Sequence, residues 1–113
     1  SITRIIGKTP LLYRPPVGLL NPPVHPALKS LGMYCIGWTH TARDAGNRRR
    51  KAIARIPRLA GAGRVVLLHD RLPNTIPREM VLSNIEQLFR SIHTQGLTAR
   101  SVDSYFSLPA YRE

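Results

Sequence analysis

The chain has 113 residues, 17 Lys and Arg against 6 Asp and Glu, and a net charge of +11. Hydrophobic residues make up 42%, too many for a disordered basic tail, and ten prolines argue against a plain helical bundle. The single cysteine, Cys35, excludes an internal disulfide framework or Cys-rich zinc module, and no apolar run reaches the ~18–20 residues of a membrane span.

In chain order, residues 11–13 form a short apolar strand ended by Arg14-Pro15-Pro16-Val17-Gly18. Two prolines pre-set the backbone of that loop and Gly18 frees it to turn. Residues 24–31 read as a short helix stopped by Gly32. Residues 33–38, ending in Trp38, form a nearly continuous apolar run, as expected of a buried strand. Residues 39–47 are polar and loop-like. Residues 48–60 have helical spacing, with Ile53, Ile56 and Ala60 on one face and Pro57 as a kink. Residues 64–69 are the clearest strand, apolar and β-branched until His69. Thr75 can cap a helix over 76–94 that carries Leu82, Ile85, Phe89 and Ile92 and stops at Gly96. Residues 97–102 are a last strand candidate, followed by a helical turn at 103–108.

Apolar strands alternating with helices predict an α/β fold with a parallel sheet covered on both faces and right-handed crossovers. Four strands cannot close a parallel barrel, which typically takes about 250 residues. Sheets of this kind gather chemistry at the C-terminal ends of their strands. Arg14, residues 39–44, His69 and Asp70 occupy those ends. Each also has a plainer reading: His69 as a hydrogen-bonded structural residue, Asp70 as a loop cap, Arg14 as a surface arginine. His40 suits a solvated loop, His25 a helix start, Cys35 a buried small hydrophobe and Trp38 the core.

Three segments carry a resemblance. Tyr13-Arg14-Pro15-Pro16-Val17-Gly18 resembles the third motif of the polysaccharide deacetylase family, the chitin, chito-oligosaccharide and peptidoglycan N-deacetylases. The stretch from Gly37-Trp38 to Arg43-Asp44 is similar to the fourth, and Val65-Val66-Leu67-Leu68-His69-Asp70 to the fifth. The resemblance implies that the whole chain, residues 1–113, is a single partial domain, the C-terminal half of a distorted (β/α) barrel. It also implies a hydrolase that removes acetyl groups from an N-acetylated polysaccharide with a divalent metal, commonly zinc. His69 would be the general acid, Asp44 its orienting partner, and Arg14 the holder of a base aspartate. Val17 would lend a backbone N–H to the oxyanion, while Leu67 and Trp38 line the substrate pocket.

Departures from the family pattern are as informative. The motif that brings the base and a metal-binding aspartate is absent, and His25, His40, His69 and His93 lack the four-residue spacing of the metal-binding pair. Val17 stands where the family has tyrosine, and Ala45 where it has tryptophan. The chain alone is therefore expected to bind no metal and to be inactive. Its sheet edges call for a complementary N-terminal half or a second copy. Members of the family are often exported or associated with the cell envelope, and nothing in this sequence fixes the compartment. The alternative is a small basic α/β module that binds nucleic acid or an anionic glycan through residues 48–58. With two Phe and one Trp as stacking platforms, nucleic acid is not the expected partner.

Overall fold

A computed structural model of the protein describes residues 1–44, 49–70 and 75–113. In chain order it contains helix α1 (Ile2–Ile6), strands β1 (Thr9–Pro10) and β2 (Leu12–Tyr13), a 3-10 turn (Pro16–Gly18), α2 (Val24–Ser30) and β3 (Tyr34–Cys35). β4 (His40–Thr41), α3 (Arg49–Ile53), a second 3-10 turn (Ile56–Leu59), β5 (Val66–Leu67), α4 (Arg78–Thr94), α5 (Val102–Phe106) and β6 (Tyr111–Arg112) follow. The elements divide into two units. One is Trp38–Ala99; the other combines Ser1–Gly37 with Arg100–Glu113.

In the unit Trp38–Ala99, β4 and β5 pair in parallel, His40 opposite Val66 and Thr41 opposite Leu67. Thr39 fixes that register from both sides. Its N–H donates to the Val65 carbonyl at 2.9 Å, and its hydroxyl accepts the Val65 N–H at 2.9 Å. Residues 39–47 are thus not all loop, because the backbone at His40 and Thr41 finds partners in β5. Ala45 and Arg48 lie outside the described residues.

Pro57 decides how the next segment folds. It has no N–H to give the Ile53 carbonyl, so α3 ends at Ile53 and the chain tightens into a 3-10 turn. Ile53 and Ile56 nonetheless stay fully buried, as their spacing predicts. The Arg64 guanidinium donates to the carbonyls of Arg58 and Leu59 at the turn's end. Pro77 likewise moves the start of α4. A residue before proline avoids helical backbone, so Ile76 packs into the core while the helix begins at Arg78, and Thr75 does not cap it.

The core of this unit comprises Ala42, Ile53, Ile56, Leu59, Ile76, Val81 and Leu88, with Ile85 and Ile92 packed against it. The buried stripe of α4 therefore runs 81-85-88-92. The sequence pattern placed Leu82 and Phe89 on the core face, yet both are exposed. Two apolar stripes lie side by side on this helix, and spacing alone does not choose between them. Gly96, at φ 68°, ends the helix in a left-handed turn, and the Leu97 N–H returns to the Ile92 carbonyl at 3.0 Å. The strand expected over 97–102 does not form. Leu97 is bound to the end of α4, and the polar residues after it lead into α5.

In the other unit, β2 and β3 pair in parallel, Leu12 opposite Tyr34 and Tyr13 opposite Cys35. The Tyr34 N–H donates to Leu11 and the Ile36 N–H to Tyr13, at 2.7 and 2.8 Å. β1 pairs with β6 antiparallel, an edge pairing that tolerates Pro10. Among the described residues the strands form two parallel pairs, as a parallel fold expects, and one antiparallel pair that the sequence reading did not include. Tyr34 and Cys35 are both exposed, against the expectation of a buried strand and a buried cysteine. Ile36, the next residue, is the buried one of this segment, and Met33 and Trp38 are half-buried.

This second unit buries little. Leu11, Leu28 and Ile36 are its buried large hydrophobics, while Ile2, Ile5, Val17, Leu19, Leu20 and Leu31 are at least half exposed. In α5, the Ser101 hydroxyl and then the Ser104 backbone hold the Asp103 carboxyl below its usual range.

Candidate functional site

Asp44 and His69 meet at the C-terminal ends of a parallel pair. Asp44 follows Thr41, the last residue of β4, by three positions, and His69 follows Leu67, the last of β5, by two. Asp44 Oδ2 accepts the His69 backbone N–H at 2.8 Å, and Oδ1 faces His69 Nδ1 at 2.7 Å. The carboxylate side chain is 4% exposed and the imidazole 41%. A buried anion is held by two charge-assisted hydrogen bonds to one residue, and the ring reaches outward from it.

The contact assigns a tautomer once Asp44 is taken as ionised. An ionised carboxylate only accepts, so the proton of this contact belongs to Nδ1, and Nε2 is the ring nitrogen that Asp44 does not hold, on a side chain 41% exposed. A histidine oriented in this way can hold a proton on Nε2 and pass it to a bound group.

What aims Asp44 inward is the turn before it. Ala42 is fully buried in the core, and Arg43 adopts a left-handed backbone at φ 57°. The Arg43 N–H donates to the Thr41 hydroxyl at 3.1 Å, a side-chain turn closed across two residues. The motifs pointed to Asp44 and His69 but not to Thr41 or Arg43. Their one signal in the sequence is a threonine two residues ahead of an amide that needs an acceptor.

Leu67, the expected pocket residue, is half-buried as the last residue of β5, and Trp38 is half-buried just ahead of β4. His40 is half-buried, with Nδ1 2.8 Å from the Thr39 hydroxyl, so it serves the strand rather than the Asp44–His69 pair. Asp70 is exposed.

Arg14 and Val17 belong to the other unit. Arg14 follows β2, and its guanidinium donates to the carbonyls of Ile36 (Nε, 3.3 Å) and Gly37 (Nη2, 3.2 Å), just past the end of β3. Among the described residues it thus ties the C-terminal end of its own parallel pair. Val17 is 86% exposed and sits at φ 58°, ψ 6°. Left-handed backbone at a β-branched residue costs roughly 1–2 kcal/mol, so the loop imposes this conformation against the residue's preference. The Gly18 and Leu19 N–H groups close the turn onto Pro15 and Pro16, while that of Val17 donates to no backbone carbonyl among the described residues.

Among the described residues, no three His, Cys, Asp or Glu side chains lie close enough to share a metal ion. No described helix is long and apolar enough to cross a membrane.

Comparison with known proteins sharpens this picture. No family model matches the chain. In sequence, 95 of its residues (83% of the chain) are 30% identical to a bifunctional xylanase/xylan deacetylase from Cellvibrio japonicus, of which the chain spans 14%. In structure, 92% of the chain matches 50% of a family 4 carbohydrate esterase from Streptomyces lividans, solved in complex with acetate, with a TM-score of 0.61 and 22% identity. The chain has a carbohydrate-esterase fold. It matches half of that esterase's length and a seventh of the xylanase/deacetylase. The sequence match supports a polysaccharide deacetylase-like relationship, and the structural match shows the shared fold.

Proposed function

We propose that this chain forms the acid side of a carbohydrate deacetylase site, the C-terminal half of a polysaccharide deacetylase-like domain. The observation that carries the reading is the Asp44–His69 pair, a buried carboxylate holding an exposed imidazole by Nδ1 and by the backbone. It stands at strand ends, where parallel α/β folds gather chemistry. The names of the two related proteins, a xylan deacetylase and a carbohydrate esterase, support an acetylated polysaccharide as substrate.

In this reading the bond that breaks joins the acetyl carbon to an oxygen or nitrogen of the sugar. Water adds to the acetyl carbon, and the departing atom needs a proton. His69 supplies it from Nε2 while Nδ1 stays hydrogen-bonded to Asp44, so the ring does not turn as its charge changes. Leu67 and Trp38 line the acetyl pocket.

The described residues do not gather the donor set that a divalent metal such as zinc requires. Ligands for that metal and the base carboxylate would come from a complementary polypeptide segment. The poorly covered unit, with Ile5, Val17 and Leu19 exposed, is where such a segment or a second copy would gain apolar contact. Without it the chain would be inactive.

The test is acetate release from acetylated xylan by this chain combined with the part of the Streptomyces lividans esterase that it does not match. Release should require both parts and fall about 10²–10⁴-fold with His69→Ala, the usual worth of a general acid. Equal release by the variant would remove His69 from the mechanism.

A further inference from the structure

We infer that Thr41 is a positioning residue for the acid, acting through the Arg43 turn on Asp44 and from there on His69. The inference rests on the reading of His69 as the acid, and its test does not use activity. The chain of contacts is continuous. Thr41 lies in β4 opposite Leu67, so β5 fixes its backbone. Its hydroxyl accepts the Arg43 N–H at 3.1 Å, and Arg43 takes a left-handed backbone, φ 57°. The next residue is Asp44, whose two oxygens reach the backbone and ring of His69 at 2.8 and 2.7 Å.

A non-glycine residue in left-handed backbone carries a cost of about 1–3 kcal/mol, which the surroundings must offset. Two features do so. Ala42 is fully buried and anchors the turn from within, and the Thr41 hydroxyl gives the Arg43 N–H a partner only while the chain turns this way. Relaxing Arg43 to ordinary backbone would redirect the Cα–Cβ bond of the next residue. Asp44 could not then keep both contacts, because its two oxygens bind groups fixed on the neighbouring strand end. The hydroxyl thus acts on the acid without touching it. It selects the backbone that makes Asp44 a two-point holder and sets the proton on Nδ1.

Thr41→Val removes the hydroxyl while keeping β-branched shape and strand preference. Nitrogen-15 chemical shifts of the His69 ring in the full chain should report an Nδ1–H imidazole in the parent protein. In Thr41→Val that signature should give way to the mixture of tautomers of a free histidine, and Thr41→Ser should restore it. Arg43→Gly, which relieves the strain but leaves the hydroxyl, should keep it. Persistence of the Nδ1–H signature in a folded Thr41→Val protein would overturn the inference, as would its loss in Arg43→Gly.

Hydrogen exchange at the Arg43 amide of the unmodified chain needs no variant, and serves if Thr41→Val fails to fold. The inference requires that amide to be protected at least ~10-fold over an open chain, as a hydrogen-bonded N–H is. Exchange at the open-chain rate would refute it. A Thr41-dependent signature together with unchanged acetate release in His69→Ala would sink the proposed function and leave the positioning role standing.

Discussion

Asp44 commits both of its carboxylate oxygens to one residue, His69, one to the backbone N–H and one to the ring. The double attachment separates this pair from an ordinary surface ion pair. Only the Asp44 side is buried, and the backbone contact locks the loop whichever way the ring turns. By contrast, the Glu86–Arg90 pair on α4 is exposed on both sides and contributes little.

Replacing Asp44 by Asn keeps the shape and removes one acceptor. The new amide would set an N–H against either the His69 backbone N–H or its Nδ1–H. Loss of one of these buried contacts should cost about 1–3 kcal/mol, read by urea denaturation. An unchanged midpoint would mean that the pair does not hold the loop.

Arg14 uses two nitrogens of its fork on two successive carbonyls, Ile36 and Gly37. Lysine has one ammonium and no fork, so Arg14→Lys should lose roughly 1 kcal/mol. Amide exchange at Ile36, whose N–H bonds Tyr13, should quicken. Exchange as slow as in the parent chain would show that β2 and β3 hold without the guanidinium.

Val17 is strained and exposed, so glycine should suit its position better than valine does. Relief of about 1–2 kcal/mol of left-handed strain, less the roughly 0.5–1 kcal/mol that glycine adds to unfolded-chain entropy, leaves a small net gain. Thermal unfolding of Val17→Gly should move upward by a few degrees. A lower transition would mean that the valine side chain makes contacts that its exposure does not show.

The register of α4 can be read by two neighbouring truncations. Leu88→Ala opens the core and should cost about 2–5 kcal/mol, whereas Phe89→Ala trims an exposed ring and should stay within about 0.5 kcal/mol. Equal costs would place Phe89 under a covering partner or return the core stripe to the spacing that the sequence suggested.

Much of this was legible in the residues. The motif endings marked Asp44 and His69, and their contact follows once β4 and β5 pair in parallel. Pro57 foretold the break after Ile53, and Gly96 the end of α4. What the sequence concealed has physical reasons. His40 and Thr41 look like loop because a two-residue strand has no periodicity to read. Leu82 and Phe89 were assigned to the core because α4 carries two adjacent apolar stripes, and only tertiary packing selects 81-85-88-92. β1 and β6 lie at opposite ends of the chain, and a pairing that distant leaves no local trace. The Thr41–Arg43 turn left only a faint trace, a threonine two residues ahead of Arg43, because the rest of its signature is a backbone angle.

The most direct test of His69 as an acid varies the leaving group. An aryl acetate releases a stable phenolate that needs little protonation, whereas acetylated xylan must release a poor leaving alkoxide. In the combined protein described above, His69→Ala should slow acetate release from acetylated xylan about 10²–10⁴-fold, with KM little changed, and slow the aryl ester far less. Equal losses on the two substrates would contradict proton donation by His69 and leave the Asp44–His69 pair a structural clasp.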